Sequence, residues 1–141
     1  MVHILLASHG TMAAGMEKAI SILMGKTDGL SVINCYVDAS NVNDAFREYF
    51  SSVPETEQVI MLSDLYGGSV NQIMYQWLTR PHTKLIAGIN LALLLEMMAI
   101  RESTDEFSDE QLVELTASSR EAMRFVTLEE TEAQDTSEDF F

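Results

Sequence analysis

Two side chains in this sequence are placed to do chemistry, and each stands at the end of a short apolar run. Residues 4–11 read ILLASHGT and present His9; residues 59–69 read VIMLSDLYGGS and present Asp64. An imidazole is a nucleophile only through a nitrogen with a free lone pair, and a carboxylate that accepts a hydrogen bond from the other ring N–H fixes the tautomer that frees it. The same carboxylate stabilises the positive ring that develops when the free nitrogen takes up an electrophile. Asp64 is therefore expected to orient His9. Behind each residue, Gly10-Thr11 and Gly67-Gly68-Ser69 open helical patterns, and the unpaired N–H groups of a helix start favour an anion. A histidine, a carboxylate and two such starts predict a phosphoryl group carried on His9.

The residues missing from these motifs narrow the chemistry. None of the eight basic residues lies in either motif, and no glycine-rich loop leads into Lys-Ser/Thr, so the cationic clamp of a nucleotide-dependent phosphotransferase is lacking and ATP is not the expected donor. No acidic cluster follows the first apolar run to hold magnesium, which argues against a receiver domain phosphorylated on aspartate. Neither cofactor nor metal is expected.

These two motifs need a scaffold that brings them together, and the period of the apolar residues supplies it. Val2–Ala7, Leu30–Val37, Gln58–Ser63 and Lys84–Ala87 read as strands. Between them, Met12, Met16, Ala19, Ile20, Leu23 and Met24 recur at helical spacing, as do Val42, Ala45, Phe46, Tyr49 and Phe50, and then Val70, Ile73, Met74, Trp77 and Leu78. Strand–helix alternation with short connections implies right-handed crossovers and an α/β three-layer sandwich around a mainly parallel sheet. In the order 2-1-3-4 the carboxyl ends of strands one and three lie side by side where the winding reverses, which is where ligands bind in such sheets. Asp38, Tyr66 and Asn90 fall at the rim by the same topology.

After the fourth strand the pattern changes. Ile89 to Ile100 is apolar nearly all round, which leads to the expectation that a second copy covers it. Ser108 opens a last helix to about Arg124, with Gln111 at capping-box spacing and Phe107 and Leu112 placed as a hydrophobic staple. Phe125–Leu128 is expected to form a further short strand. The chain thus divides into a domain over residues 1–128 and an acidic tail, 129–141, expected to be disordered.

Composition agrees with one domain. The chain has 141 residues, 47% hydrophobic, and carries 22 acidic against 8 basic side chains for a net charge of −14. Such a surface repels phosphate backbones, so nucleic acid is excluded as a partner and a basic protein surface is favoured. The single cysteine, Cys35, lies in an apolar run and reads as a buried thiol in a reducing compartment. The first residues lack a cationic region ahead of a long apolar one, and Leu85–Ile100 is interrupted by Gly88, Asn90 and Glu96, so a cytoplasmic location is expected.

The SHG after strand one, the DLYGGS after strand three, the IAGIN of strand four and the helix beyond it closely resemble the IIA component of the mannose/fructose/sorbose family of the bacterial sugar phosphotransferase system (PTS), over residues 1–128. The resemblance implies that His9 accepts a phosphoryl group, on its tele nitrogen, from the phosphohistidine of the carrier HPr. His9 then passes it to a IIB component for sugar uptake through a IIC/IID membrane permease, with which the protein would associate peripherally. It also implies that Asp64 orients the ring, that Ser69 donates its hydroxyl to the phosphoryl oxygens, and that sugar choice resides in the membrane components. Members are typically homodimers that exchange their last strand, and Phe125–Leu128 occupies that place. Ser8 stands where some relatives have threonine.

Plainer readings accompany each residue. Asp64 could cap a turn, Ser69 could be a helix N-cap, and Asp38, Tyr66 and Asn90 could serve turns alone. His3 and His82 stand away from the strands' carboxyl ends and read as incidental. The alternative functions are the phosphotransfer subunit of dihydroxyacetone kinase, against which the GGS turn counts, and a regulatory module that docks when phosphorylated.

Overall fold

Side chains of a strand alternate between faces, and in this protein that alternation sorts the core into two halves. A computed structural model describes residues 1–129. In strand β1, Val2–His9, residues Ile4 and Leu6 join one apolar cluster while Leu5 and Ala7 join the other. Strand β3, Gln58–Ser63, repeats the division with Ile60 and Leu62 against Val59 and Met61. Both strands are buried on both faces, as the unbroken apolar runs predict. Strand β2, Leu30–Cys35, and strand β4, Thr83–Ala87, flank them, and all pairings are parallel in the order β2-β1-β3-β4.

The first cluster is covered by helix α1, Met12–Met24, helix α4, Leu91–Arg101, and helix α5, Asp109–Glu121. The second is covered by helix α2, Val42–Ser51, and helix α3, Ser69–Tyr75, which continues into a 3₁₀ turn, Gln76–Thr79. The predicted faces hold closely for α2, where Phe46 and Phe50 are buried. In α1 it is Ala13 and Ile20 that are buried, whereas Met12 and Leu23 reach solvent. At the second cluster's edge Phe50 stacks on Trp77 with ring centroids 4.4 Å apart.

One expectation about the C-terminal third needs correction, and a second is not met within a single chain. Helix α4 is apolar all round because this chain covers it. Leu93, Leu94, Met97 and Met98 are buried, Leu95 and Ile100 are half-buried against the same cluster, and α5 packs alongside, leaving Leu91, Glu96 and Ala99 exposed. No second copy is needed to explain its composition. Phe125–Leu128 is not a strand in the single chain. Helix α5 ends at Glu121, residues 123–127 carry no regular structure, and Phe125 is 88% exposed. A strand needs a ladder partner, and within the described residues the chain leaving α5 does not return to a sheet edge. The acidic tail, apart from Glu129, lies outside the described residues.

The start of α5 is as predicted: Ser108 and Gln111 form a complete capping box, and Phe107 and Leu112 are both buried. The loop before it is fastened to the sheet by the buried side chain of Gln58. Its amide donates to Phe107 O at 2.9 Å, and its Oε1 accepts from Phe107 N at 2.8 Å.

Candidate functional site

Register places the two sequence motifs at one point. His9 is the last residue of β1 and pairs with Cys35, the last of β2, while Ala7 pairs with Ser63, so that Asp64 leaves β3 beside the end of β1. Two positive-φ glycines let the chain turn away at once, Gly10 at φ 61° and Gly67 at φ 75°, a region in which a Cβ is strained. By alternation His9 shares its face with Leu5 and Ala7, the face that α3 covers.

Asp64 holds His9 twice through one oxygen. Its Oδ2 accepts the His9 backbone N–H at 2.8 Å and lies 2.9 Å from ring Nδ1. The His9 side chain is 45% exposed and that of Asp64 only 10%. Burial alone would push the Asp64 carboxyl up; the amide, ring and charge of His9 outweigh it and hold the carboxyl below its ordinary 3.8. A carboxylate at Nδ1 requires that this nitrogen carry a proton, so in the neutral ring Nε2 keeps its lone pair. Nε2 faces the Ser69 hydroxyl at 3.2 Å.

Ser69 is available because a glycine takes the capping place. Gly68 is the N-cap of α3, and Ser69 is the first helical residue, exposed, with its hydroxyl turned to the histidine. The other expected anion-binding turn is differently employed. Gly10 N–H is bonded to Cys35 O at 2.8 Å, and near the start of α1 Ala13 N and Ala14 N are taken by Ser8 Oγ at 2.8 Å and Asn34 Oδ1 at 3.2 Å. Thr11 caps α1 by position, without a side-chain bond. The Ser8 hydroxyl thus fastens the first turn of α1 and, through its bond to Gly10 O at 3.2 Å, the loop that follows His9.

The three rim residues part ways. Asn90 is the N-cap of α4, accepting from Leu93 N, and its amide donates to Ser119 O at 2.7 Å, so it joins two helices. Asp38 organises a turn through the backbone N–H and hydroxyl of Ser40, which hold its carboxyl below the ordinary range. Tyr66 is 83% exposed and stands over a groove with Tyr75, Ala87 and Arg120, on the β4 side.

One residue at the site gives no sign in the sequence reading, Tyr36. Strand β2 stops at Cys35, two residues short of the expected Val37, because Tyr36 turns left-handed at φ 64°. A bulky residue there carries strain of about 1–3 kcal/mol, which the surrounding contacts must overcome. The turn sets its ring 5.5 Å from that of His9, and its hydroxyl donates to Ser69 Oγ at 3.1 Å. The available signal was topological: the residue after strand two adjoins the end of strand one in a 2-1-3-4 sheet. Beneath it Cys35 is buried, and burial first and the Asp64 charge second push its thiol up to about 11.

Comparison with known proteins supplies the family. Residues 3–115 match the family model described as PTS system fructose IIA component. The chain is 23% identical over 105 residues to the PTS system fructose-specific EIIA component of Bacillus subtilis (strain 168), covering 72% of each chain. It is 25% identical over 112 residues to the PTS system mannose-specific EIIAB component of Escherichia coli (strain K12), covering 77% of this chain and 34% of that longer protein. Its fold is that of the mannose/sorbose specific IIA subunit of the phosphotransferase system from Enterococcus faecalis, with a TM-score of 0.71 at 24% identity over 89% of this chain and 95% of the other. With the family model spanning both motifs, the chain belongs to the fructose/mannose IIA family of the sugar phosphotransferase system.

Proposed function

We propose that this protein is a phosphoryl carrier that accepts a phosphoryl group from phospho-HPr on Nε2 of His9 and passes it to a IIB component. Through IIB it would serve sugar uptake by a IIC/IID permease at the cytoplasmic face of the membrane. The observation that carries this reading is the division of labour on one ring. Nδ1 is tied to the buried Asp64, and Nε2 is directed outward at an exposed strand end beside Ser69. A ring held this way attacks phosphorus without moving a proton: the Nε2 lone pair forms the new N–P bond, and the departing nitrogen of the donor keeps the electrons of the old one. Asp64 stabilises the positive ring so formed. The Ser69 hydroxyl then faces the phosphoryl oxygens, whereas the N–H of Gly68, expected to bind there, donates to Leu65 O at 3.3 Å and serves the turn. The Gly67 turn shapes their approach, and Gly10 and Thr11 act through the backbone that holds His9.

Incubating the protein with HPr, the enzyme that phosphorylates HPr and phosphoenolpyruvate should add one phosphoryl group, removed again by a IIB component. No mass increase overturns the reading. Acceptance from HPr without release to IIB would instead favour a regulatory module.

We further propose that two copies exchange residues 125–128. Strand β4 is one edge of the sheet, β2 being the other, and beside β4 lies a groove of about 730 Å³ lined by Leu78, Lys84, Ile86, Leu112 and Thr116. Phe125, Val126 and Leu128 expose apolar side chains in the same chain. An unpaired edge invites strand addition, and exchange between identical chains closes it symmetrically. Light scattering should find a dimer at micromolar concentration that weakens on truncation after Arg124 and survives truncation after Glu130; a monomeric intact chain overturns the exchange.

A further inference from the structure

Tyr36, Ser69, His9 and Asp64 form one directional chain of hydrogen bonds, and its direction is set at the buried end. The Asp64 carboxylate can only accept, so Nδ1–H donates to it, and in the neutral ring that attacks phosphorus Nε2 must accept. The hydroxyl of Ser69 has one proton, which goes to Nε2 at 3.2 Å, leaving its oxygen to accept from Tyr36 O–H at 3.1 Å. Each donor is thereby polarised by the next, and the outermost member of the chain is the phenol. The ring of Tyr36 also lies against the histidine, at 38° and 5.5 Å between centroids. The left-handed backbone that brings it there, in a residue type that disfavours it, is a strained conformation at the mouth of the site.

We propose that Tyr36 is a positioning residue of phosphoryl transfer that acts through Ser69, holding the serine hydroxyl within reach of Nε2 and then of the phosphoryl oxygens. The inference rests on His9 being the phosphoryl acceptor. For Nε2 to attack, Ser69 O–H must leave the lone pair, and among the described residues its one other anchor during that turn is the bond its oxygen accepts from Tyr36. Rotation about that anchor re-aims the hydroxyl at a phosphoryl oxygen a few ångströms further out. Without the phenol the serine rotor is free, and the donor has to be recovered from many orientations in the transition state.

The test compares Tyr36→Phe, Ser69→Ala and the double variant in single-turnover phosphoryl transfer from phospho-HPr. The first keeps the ring and the backbone turn and removes one hydroxyl that is exposed to solvent. Tyr36→Phe should slow transfer three- to tenfold, Ser69→Ala at least as much, and the double variant no further than Ser69→Ala, the non-additivity of residues acting as one unit. A wild-type rate in Tyr36→Phe, or rates that multiply in the double variant, overturns the proposal. A second readout uses the unphosphorylated protein: the ¹⁵N signal of His9 Nε2 should move in Tyr36→Phe towards that of an unbonded lone pair while Nδ1–H stays in place. An unmoved Nε2 signal overturns the link through Ser69. Wild-type protein that takes no phosphoryl group from phospho-HPr fails the functional reading and the transfer role together, and the nitrogen signal alone then decides whether the Tyr36–Ser69 link exists.

Discussion

Strand β1 carries a histidine near each end, and both meet a carboxylate from the neighbourhood of β3. His3 Nε2 lies 2.6 Å from Glu57 Oε1, and His9 Nδ1 lies 2.9 Å from Asp64 Oδ2. Distance therefore does not tell a site from an ion pair. Burial does, because it is reversed: at His3 the ring is the more covered partner, 21% against 32%, whereas at His9 the carboxylate is covered and the ring stands out, 45% against 10%. A buried carboxylate behind an exposed ring leaves one nitrogen held and the other presented; a half-covered ring with its outer nitrogen already bonded presents nothing. The electrostatics differ in kind as well. Glu57 is lowered first by its hydrogen bond from His3, with burial a lesser opposing effect, while for Asp64 burial is the largest influence and His9 must overcome it.

The sharpest way to break the comparison is to remove each ring. His9→Ala should abolish acid-labile phosphorylation by phospho-HPr, whereas His3→Ala and His82→Ala should keep it in full, as read by intact mass. A phosphorylated His9→Ala protein sinks the distinction. Next come the carboxylates. Asp64→Asn keeps the shape, loses the charge and can turn an amide donor towards Nδ1. Transfer should slow roughly ten- to a thousandfold, about 1.4 to 4 kcal/mol in the barrier, in line with the worth of one preorganised electrostatic contact. Glu57→Gln should stay within about twofold on the same rapid-quench assay.

A smaller difference lies in acid stability. Both carboxyls are lowered on folding, so each contributes stability that is present above its unfolded value and is lost as pH falls through the folded one. For Asp64 the loss begins below about pH 3.8, and for Glu57 below about 4.5. Unfolding midpoints measured against pH should flatten below pH 3.8 in Asp64→Asn. The matching effect in Glu57→Gln should be weaker and vanish in 1 M salt, since an exposed pair is screened. Equal flattening in both variants would erase the contrast between the pairs. The smallest expected effect concerns Cys35, whose thiol is raised partly by the Asp64 charge. At pH 9, iodoacetamide should modify it a few times faster in Asp64→Asn than in wild type, with Glu57→Gln unchanged; identical rates in all three would show that burial alone sets its reactivity.

Much of this was legible from residue types alone. Strand ends carry their meaning in short apolar runs, so His9, Asp64 and the sheet order that unites them could be read, as could the Ser108–Gln111 box, whose partners are three residues apart. What escaped depended on distant neighbours. The pattern of α4 reports how much of the helix is covered but not by what, and the cover is α5, with Leu112 and Leu115 in the same cluster. Asn90 was placed at the rim by topology, yet its amide is spoken for by Ser119, 29 residues on. Tyr36 joined the site only because the backbone turns left-handed after Cys35, and no periodicity announces one residue's φ.

The pair of hydrogen bonds between Gln58 and Phe107 has a consequence in time. The two partners are separated by 49 residues of chain. At a synthesis rate of about 5–20 residues per second, Gln58 leaves the ribosome roughly 2 to 10 s before the backbone that will satisfy its amide. Strand β4, Thr83–Ala87, is made about midway through that interval, so the four strands can pair before Phe107 arrives while the Gln58 amide still lacks its partner. The loop that leads into α5 thus docks on a sheet whose strands are already made, and its arrival is what satisfies Gln58.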